Sequence, residues 1–442
     1  MRVLAGQREL MGHSRGPVAN MLVFVLFVGL ALLLPVTKKP EIAVVLGVGL
    51  TAALAILRWP IVGTYTLVIL PILFDAFPNA FISTFISEMG VFRNLSYRGL
   101  PDFVYVSIFE LVAGLTLASA LVRRFNDHTK LARGPLYRPL MAFGAMVVMG
   151  EVIGLGTGGD FKITLWEIRP LLYIVLLYIV AVNTITEAKH LRVILWVVTL
   201  STFARCFEGI YRYFRMPGDL RFVAPVILEH DDSLFFCVAI GLVVAAAFWR
   251  KWLPRKFYFA ALGLVPLSLY MMDINGRRAV YLCVFIMLAA FLPLIWNGTR
   301  AKKQRRVMLR ALLIGAVLGS VYLAVFWDKE GGIAQPAASV RSAFVPNERD
   351  YLSNLYRDQE NTNLRYTIDF SPVLGIGFGK PFKVIAPMVD LTKDWAFQFY
   401  MPHNNMLWLW MRMGILGFVA FWVALGAAVL LVAACLRLGV AR

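Results

Sequence analysis

Apolar runs of about twenty residues succeed one another from near residue 20 to residue 436, and this feature excludes most folds. A helix of ~20 residues is ~30 Å long, the thickness of a bilayer's hydrocarbon core. Lipid offers no partner to backbone N–H and C=O groups, so such segments satisfy them internally, as helices. The alternation of a membrane β-barrel is absent. Composition agrees: 60% of residues are hydrophobic and 16% charged, against roughly 45–50% and ~25% in soluble domains. The pattern predicts an all-α polytopic membrane protein with about twelve spans, near 20–36, 41–57, 60–78, 103–122, 138–155, 168–185, 191–211, 233–249, 257–273, 279–296, 308–327 and 414–436.

A net charge of +18 would suit nucleic acid if it were gathered on one surface. It is instead spread over short loops: Arg123, Arg124, Lys130, Arg133 and Arg138; Lys189 and Arg192; Arg250, Lys251, Arg255 and Lys256; Arg300, Lys302, Lys303, Arg305 and Arg306. Basic residues in alternate loops orient a membrane protein, so nucleic acid is not an expected partner; membrane lipids are. With residues 1–19 as a cytoplasmic N-terminus, these loops are cytoplasmic; Lys38 and Lys39 are the exception. The run 21–34 follows Arg2, Arg8 and Arg15 as in a signal peptide, but no small-x-small site follows, so it reads as an uncleaved first span. The expected organisation is a bundle over 20–327, a large outer loop over 328–413, and a last span and cytoplasmic end over 414–442. That loop mixes aromatic, Pro, Gly and charged residues, and short helices over the outer face of the bundle are expected within it. Cys206, Cys237, Cys283 and Cys435 lie in or beside apolar runs without metal spacing, and no metal or cofactor is expected.

On the expected outer face, Arg277 and Arg278 stand between two spans, Arg365 lies in the large loop, and His403 precedes the last apolar run. The orienting rule disfavours arginine there unless something retains it, and a diphosphate does so through bidentate contacts. The bland alternative pairs these arginines with Glu348, Asp350, Asp358 or Glu360, or lets them snorkel to headgroups. Histidine changes charge near neutral pH and suits a general base.

Segment 371–379, SPVLGIGFG, resembles the "hPlfGxGxG" stretch of the O-antigen ligase/polymerase family, with Arg365 at its upstream arginine. Pro402-His403-Asn404 matches that family's "PHN", followed by Gly414 and Gly417. Gly276-Arg277-Arg278-Ala279 resembles its "SRxA", with glycine for serine. The likeness covers roughly 230–436, with Trp166–Arg169 a looser match. It implies a GT-C-like bundle in the bacterial inner membrane with a large periplasmic loop between the last two spans. It further implies an inverting transferase that moves a glycan from undecaprenyl diphosphate to a hydroxyl on a glycan, lipid or protein acceptor. His403 would be the base, with Arg277 and Arg365 stabilising the leaving diphosphate. Arg169, Arg278, Asn404, Gly375 and Gly377 would bind substrate.

Gly375, Gly377, Gly379 and Lys380 lack the strand–turn–helix context and G-K-[ST] ending of a nucleotide loop, which favours a turn or close backbone approach. Glu229, His230, Asp231 and Asp232 form an outer polar cluster open to a helix entrance, a sugar contact or a metal. Asp75, Glu110 and Glu151, in or beside spans, keep a transporter or flippase open, and a non-catalytic scaffold is a third option.

Overall fold

The computed structural model describes residues 40–76, 82, 84–98, 101, 103–216, 227–229, 231–248, 254–298, 302–329, 332–393 and 395–441. Among them the regular secondary structure is helical, with one isolated antiparallel bridge, Asn94 to Ser107. The helices are α1 (Pro40–Arg58), α2 (Pro60–Leu73), α3 (Phe85–Glu88), α4 (Ile108–Asn126), α5 (Tyr137–Gly156), α6 (Phe161–Thr184), α7 (Ala188–Arg215), α8 (Asp232–Phe248), α9 (Arg255–Ile274), α10 (Arg278–Gly298), α11 (Lys302–Phe326), α12 (Gln335–Phe344), α13 (Glu348–Asp369) and α14 (Asn405–Ala441). Five of them are long and apolar enough to cross a membrane: α5, α6, α7, α9 and, over Asn405–Cys435, α14. Shorter apolar helices coincide with further expected spans, as at Pro60–Leu73 and Leu313–Phe326. The expected span 20–36 lies outside the described residues.

Local chemistry sets where the helices start. Expected spans at 103 and 168 begin instead at Ile108 and Phe161. Ser107 and Glu110 form a reciprocal capping box, and Asp160 accepts from the Lys162 and Ile163 amides. Caps of this kind are each worth about 1 kcal/mol. Asn404 likewise starts α14 at Asn405, ahead of the expected 414, by accepting from the amides of Met406 and Leu407.

The chain divides into two compact units. In the smaller, α1 packs on α4, and the Ser119 hydroxyl donates to the carbonyls of Ile56 and Leu57. The larger unit, Val68–Arg93 with Ala132–Arg442, has two apolar cores. One joins α5, α6, α13, α14 and the 376–382 segment around Phe143, Val147, Leu364, Phe378 and Met411. The other joins α7, α8, α9 and the start of α10 around Cys206, Leu228, Phe236 and Met271.

Helix α14 is broken. Gly414 has φ 64°, outside the helical region, and the break strips carbonyls of their helical donors. Segment 372–377 supplies the replacements: Ile376 donates to Met411 O (2.8 Å), Gly377 to Arg412 O (3.1 Å), and Ile415 donates to Pro372 O (2.9 Å). Phe378 then donates to Gly150 O on α5, and Asp160 to Gly379 O. Gly375, Gly377 and Gly379 all have left-handed φ. A Cβ on Gly375 would strike the Arg412 carbonyl, and one on Gly377 the backbone of Gly154. These glycines therefore lie against protein backbone, which is the close approach their spacing suggested.

Candidate functional site

Both polar centres of the larger unit were only partly visible in the sequence. The first gathers where α6, the glycine segment, residues 400–404 and α14 meet. Glu167 and Arg412, each 0% exposed, pair at 2.6 Å. Glu167 also accepts from the Gly379 amide and the Trp408 indole N–H. Arg412 donates to the carbonyls of Gly377 (3.1 Å), Lys380 (2.6 Å) and Tyr400 (2.8 Å). Trp408 also donates to Tyr400 O. An ion pair removed from water is tolerated only when its remaining donors and acceptors are met, and most of them are met here by loop backbone. The pair ties the loop on either side of the site to two apolar helices.

His403 stands three residues beyond Tyr400. Its backbone N–H donates to Glu360 Oε2 (2.9 Å), and its Nδ1 meets Glu360 Oε1 at 3.2 Å. The Glu360 side chain is buried on α13, whereas the His403 side chain is 58% exposed. A carboxylate only accepts, so it selects the tautomer with the proton on Nδ1 and leaves the Nε2 lone pair as the basic site. The Tyr356 ring meets the imidazole edge to face, with centroids 5.7 Å apart. The Tyr356 hydroxyl accepts from Gln398 Nε2 (3.0 Å), and burial raises the phenol above its ordinary range. Gln398 in turn clips the 389–398 stretch through Val389 O and the Leu391 amide. An exposed imidazole, aimed by a buried carboxylate and braced by an aromatic edge, is equipped to take a proton from a hydroxyl.

The other sequence-predicted residues are dispersed. Asn404 caps α14 and donates to Asn361 Oδ1 (2.9 Å), so its amide is occupied by protein. Arg365 is exposed on α13, with no ion pair among the described residues. Arg169 is buried on α6 two residues beyond Glu167. Arg277 lies half-buried in the turn between α9 and α10, where Gly276 has φ 61°. The backbone of Arg278 opens α10, and its side chain lies outside the described residues. His403 has Glu360 and Tyr356 as its partners among the described residues, and Arg169, Arg277 and Arg365 are not among them. Glu360, weighed in the sequence as a partner for arginine, serves histidine instead.

The second centre is a buried ion network. Arg205 grips Asp232 with Nε (2.8 Å) and Nη2 (2.7 Å), reaches Glu208 with Nη1 (2.7 Å), and also pairs with Asp75. Arg212 donates to Asp75 Oδ2 (2.6 Å) and pairs with Glu208, to which the Thr84 hydroxyl also donates (2.8 Å). All five ionic side chains are buried. Next to it, buried Asn275 accepts from the Leu228 amide (3.0 Å) and donates to Ser233 Oγ (3.0 Å). Of the outer polar cluster, Asp232 thus belongs to the network, Glu229 accepts from the Ala76 amide, and His230 lies outside the described residues.

The network had a signal. Arg205, Glu208 and Arg212 stand at i, i+3 and i+7 within an apolar run, on one helical face, where three charges facing lipid would be prohibitive. Arg412 lies two residues ahead of the last expected span, inside the apolar helix Asn405–Cys435. Comparison of the chain with protein-family models, with curated proteins and with solved structures gives no match.

Proposed function

We propose that this chain is a multi-pass inner-membrane glycosyltransferase of the O-antigen ligase/polymerase type, with about twelve spans and its large loop on the periplasmic side. The observation that carries the reading is the His403–Glu360 pair, an exposed imidazole held through Nδ1 by a buried carboxylate. In the proposed reaction, Nε2 of His403 takes the proton of an acceptor hydroxyl. The hydroxyl oxygen bonds to the anomeric carbon of a glycan carried on undecaprenyl diphosphate. The bond from that carbon to the diphosphate oxygen breaks, and the configuration inverts. Arg277 and Arg365 are the proposed contacts for the departing charge, with Arg169 and Arg278 as further anion contacts. The acceptor is a glycan, lipid or protein hydroxyl.

The test uses purified protein in detergent with an undecaprenyl-diphosphate-linked glycan and candidate acceptors, following release of undecaprenyl diphosphate. Acceptor-dependent release that vanishes in a folded His403→Ala variant is expected. Release that persists in that variant would remove His403 from the chemistry.

A second reading has its own observation. The buried network of Asp75, Arg205, Glu208, Arg212 and Asp232 is the kind of group a transporter or flippase uses within the membrane. Substrate flux in proteoliposomes that depends on Arg205 and not on His403 would favour it.

A further inference from the structure

Helix α12 is short, follows α11 after a brief turn, and packs against α10 and α11. Its inward residue is Ala337, fully buried. Beside that face the helix carries large apolar side chains that no described residue covers. Val340 and Phe344 are one helical turn apart on one flank, and Ile333, in the 3-10 turn Gly332–Ala334 that leads into the helix, is likewise exposed. Phe344 is 74% exposed and Ile333 78%, and Val345 continues the patch. Gln335, Ser339 and Ser342 occupy the opposite side. A helix with this division, if it stood in water, would leave its apolar flank unpaid.

The neighbouring helix indicates what covers that flank. Along α11, Leu313, Ile314, Val317, Leu318, Val321 and Val325 are exposed in an apolar stretch that suits only lipid or another protein. That stretch ends in Tyr322, Phe326, Trp327 and Lys329, the aromatic and basic residues that mark the edge of a bilayer. Lys329 lies over the Phe326 ring at 5.2 Å, and the Tyr322 hydroxyl donates to Ile333 O, which ties the start of α12 to this boundary. Arg341 pairs with Asp328 at 3.7 Å on the same rim.

We infer that α12 is an interfacial membrane helix, lying in the headgroup region with Ile333, Val340, Phe344 and Val345 sunk into the acyl boundary of the lipid that surrounds α11. The helix anchors the start of the large loop to the membrane surface, independently of any chemistry at His403.

The test is site-directed spin labelling in vesicles of phosphatidylethanolamine and phosphatidylglycerol. The background is Cys283→Ser with Cys435→Ser, since Cys206 and Cys237 are buried. Labels go on Phe344→Cys and, as a second position in case that variant does not fold, Ile333→Cys. Leu318→Cys on α11 is the lipid reference and Glu348→Cys the aqueous one. The expected result is that labels at 344 and 333 collide with oxygen over a water-soluble nickel chelate as Leu318→Cys does. Nickel accessibility equal to that of Glu348→Cys would overturn the inference. So would labels shielded from both reagents, which would mean that protein covers this flank.

Discussion

Replacing Arg412 with leucine tests what holds the candidate site in place. The guanidinium is fully buried and serves Glu167 together with the carbonyls of Gly377, Lys380 and Tyr400. Leucine leaves the Glu167 carboxylate in an apolar setting with only the Gly379 and Trp408 N–H groups, and strips Gly377 and Lys380 of this donor. Breaking a buried pair by removing one partner costs about 3–5 kcal/mol, and the lost carbonyl contacts put Arg412→Leu at the upper end. Removing both charges, as Glu167→Leu with Arg412→Leu, leaves no uncompensated ion. The double variant should therefore recover about 2 kcal/mol or more relative to the sum of the single ones. The assay is unfolding in detergent, followed by circular dichroism under one protocol for all four proteins. A loss below about 1 kcal/mol for Arg412→Leu, or strictly additive single effects, would refute the claim that this pair clamps the loop.

Four further outcomes are expected. Gly375→Ala and Gly377→Ala each place a Cβ against backbone at a left-handed φ, which costs at least about 1–2 kcal/mol before the clash, whereas Gly426→Ala meets nothing; yield of folded protein distinguishes them. Arg205→Lys loses the two-pronged grip on Asp232 and should destabilise by about 3–5 kcal/mol despite keeping its charge, read from the same unfolding curves. In Glu360→Gln, the side-chain oxygen must serve the His403 amide, so the NH₂ faces Nδ1 and forces the other tautomer. In the proposed transfer reaction the rate should fall toward the loss of a general base, about 10²–10⁴-fold; an unchanged rate would rule out the tautomer argument. Burial raises the Tyr356 phenol, so its folded value lies above its unfolded one. Its contribution to stability is present in full below ~10 and is lost as pH rises through the folded value; a tyrosinate absorbance titration of wild type against Tyr356→Phe reads it.

Hydropathy alone located most of the described helices, because long apolar runs have few alternatives. It missed where they begin, since Asp160, Ser107 and Asn404 act through polar caps that hydropathy does not register. The glycine spacing at 375, 377 and 379 indicated close backbone approach, but nothing in it named the broken helix that it approaches. His403 stood out by its position, whereas Glu360 did not, because a carboxylate on a polar helix looks like one more solvated charge until its partner is known. Asp75 was visible as an isolated acid within an apolar run, and Glu167 only as a charge just ahead of one, beside Arg169. Their arginines, Arg205 and Arg412, are distant in the chain, and only the folded chain brings each pair together.

The gap at Gly414 also bears on how the chain is made. A continuous helix can enter lipid as soon as it is synthesised, since its hydrogen bonds are its own. This one cannot: Met411 and Arg412 present carbonyls whose donors, Ile376 and Gly377, belong to a stretch translated earlier. Seating the last helix and docking the 372–377 segment are therefore coupled, since each supplies the other's backbone partners. A chain cut before residue 405 would leave the glycine segment without its template, and deletion of that segment would leave the Met411 and Arg412 carbonyls of the last helix unmet.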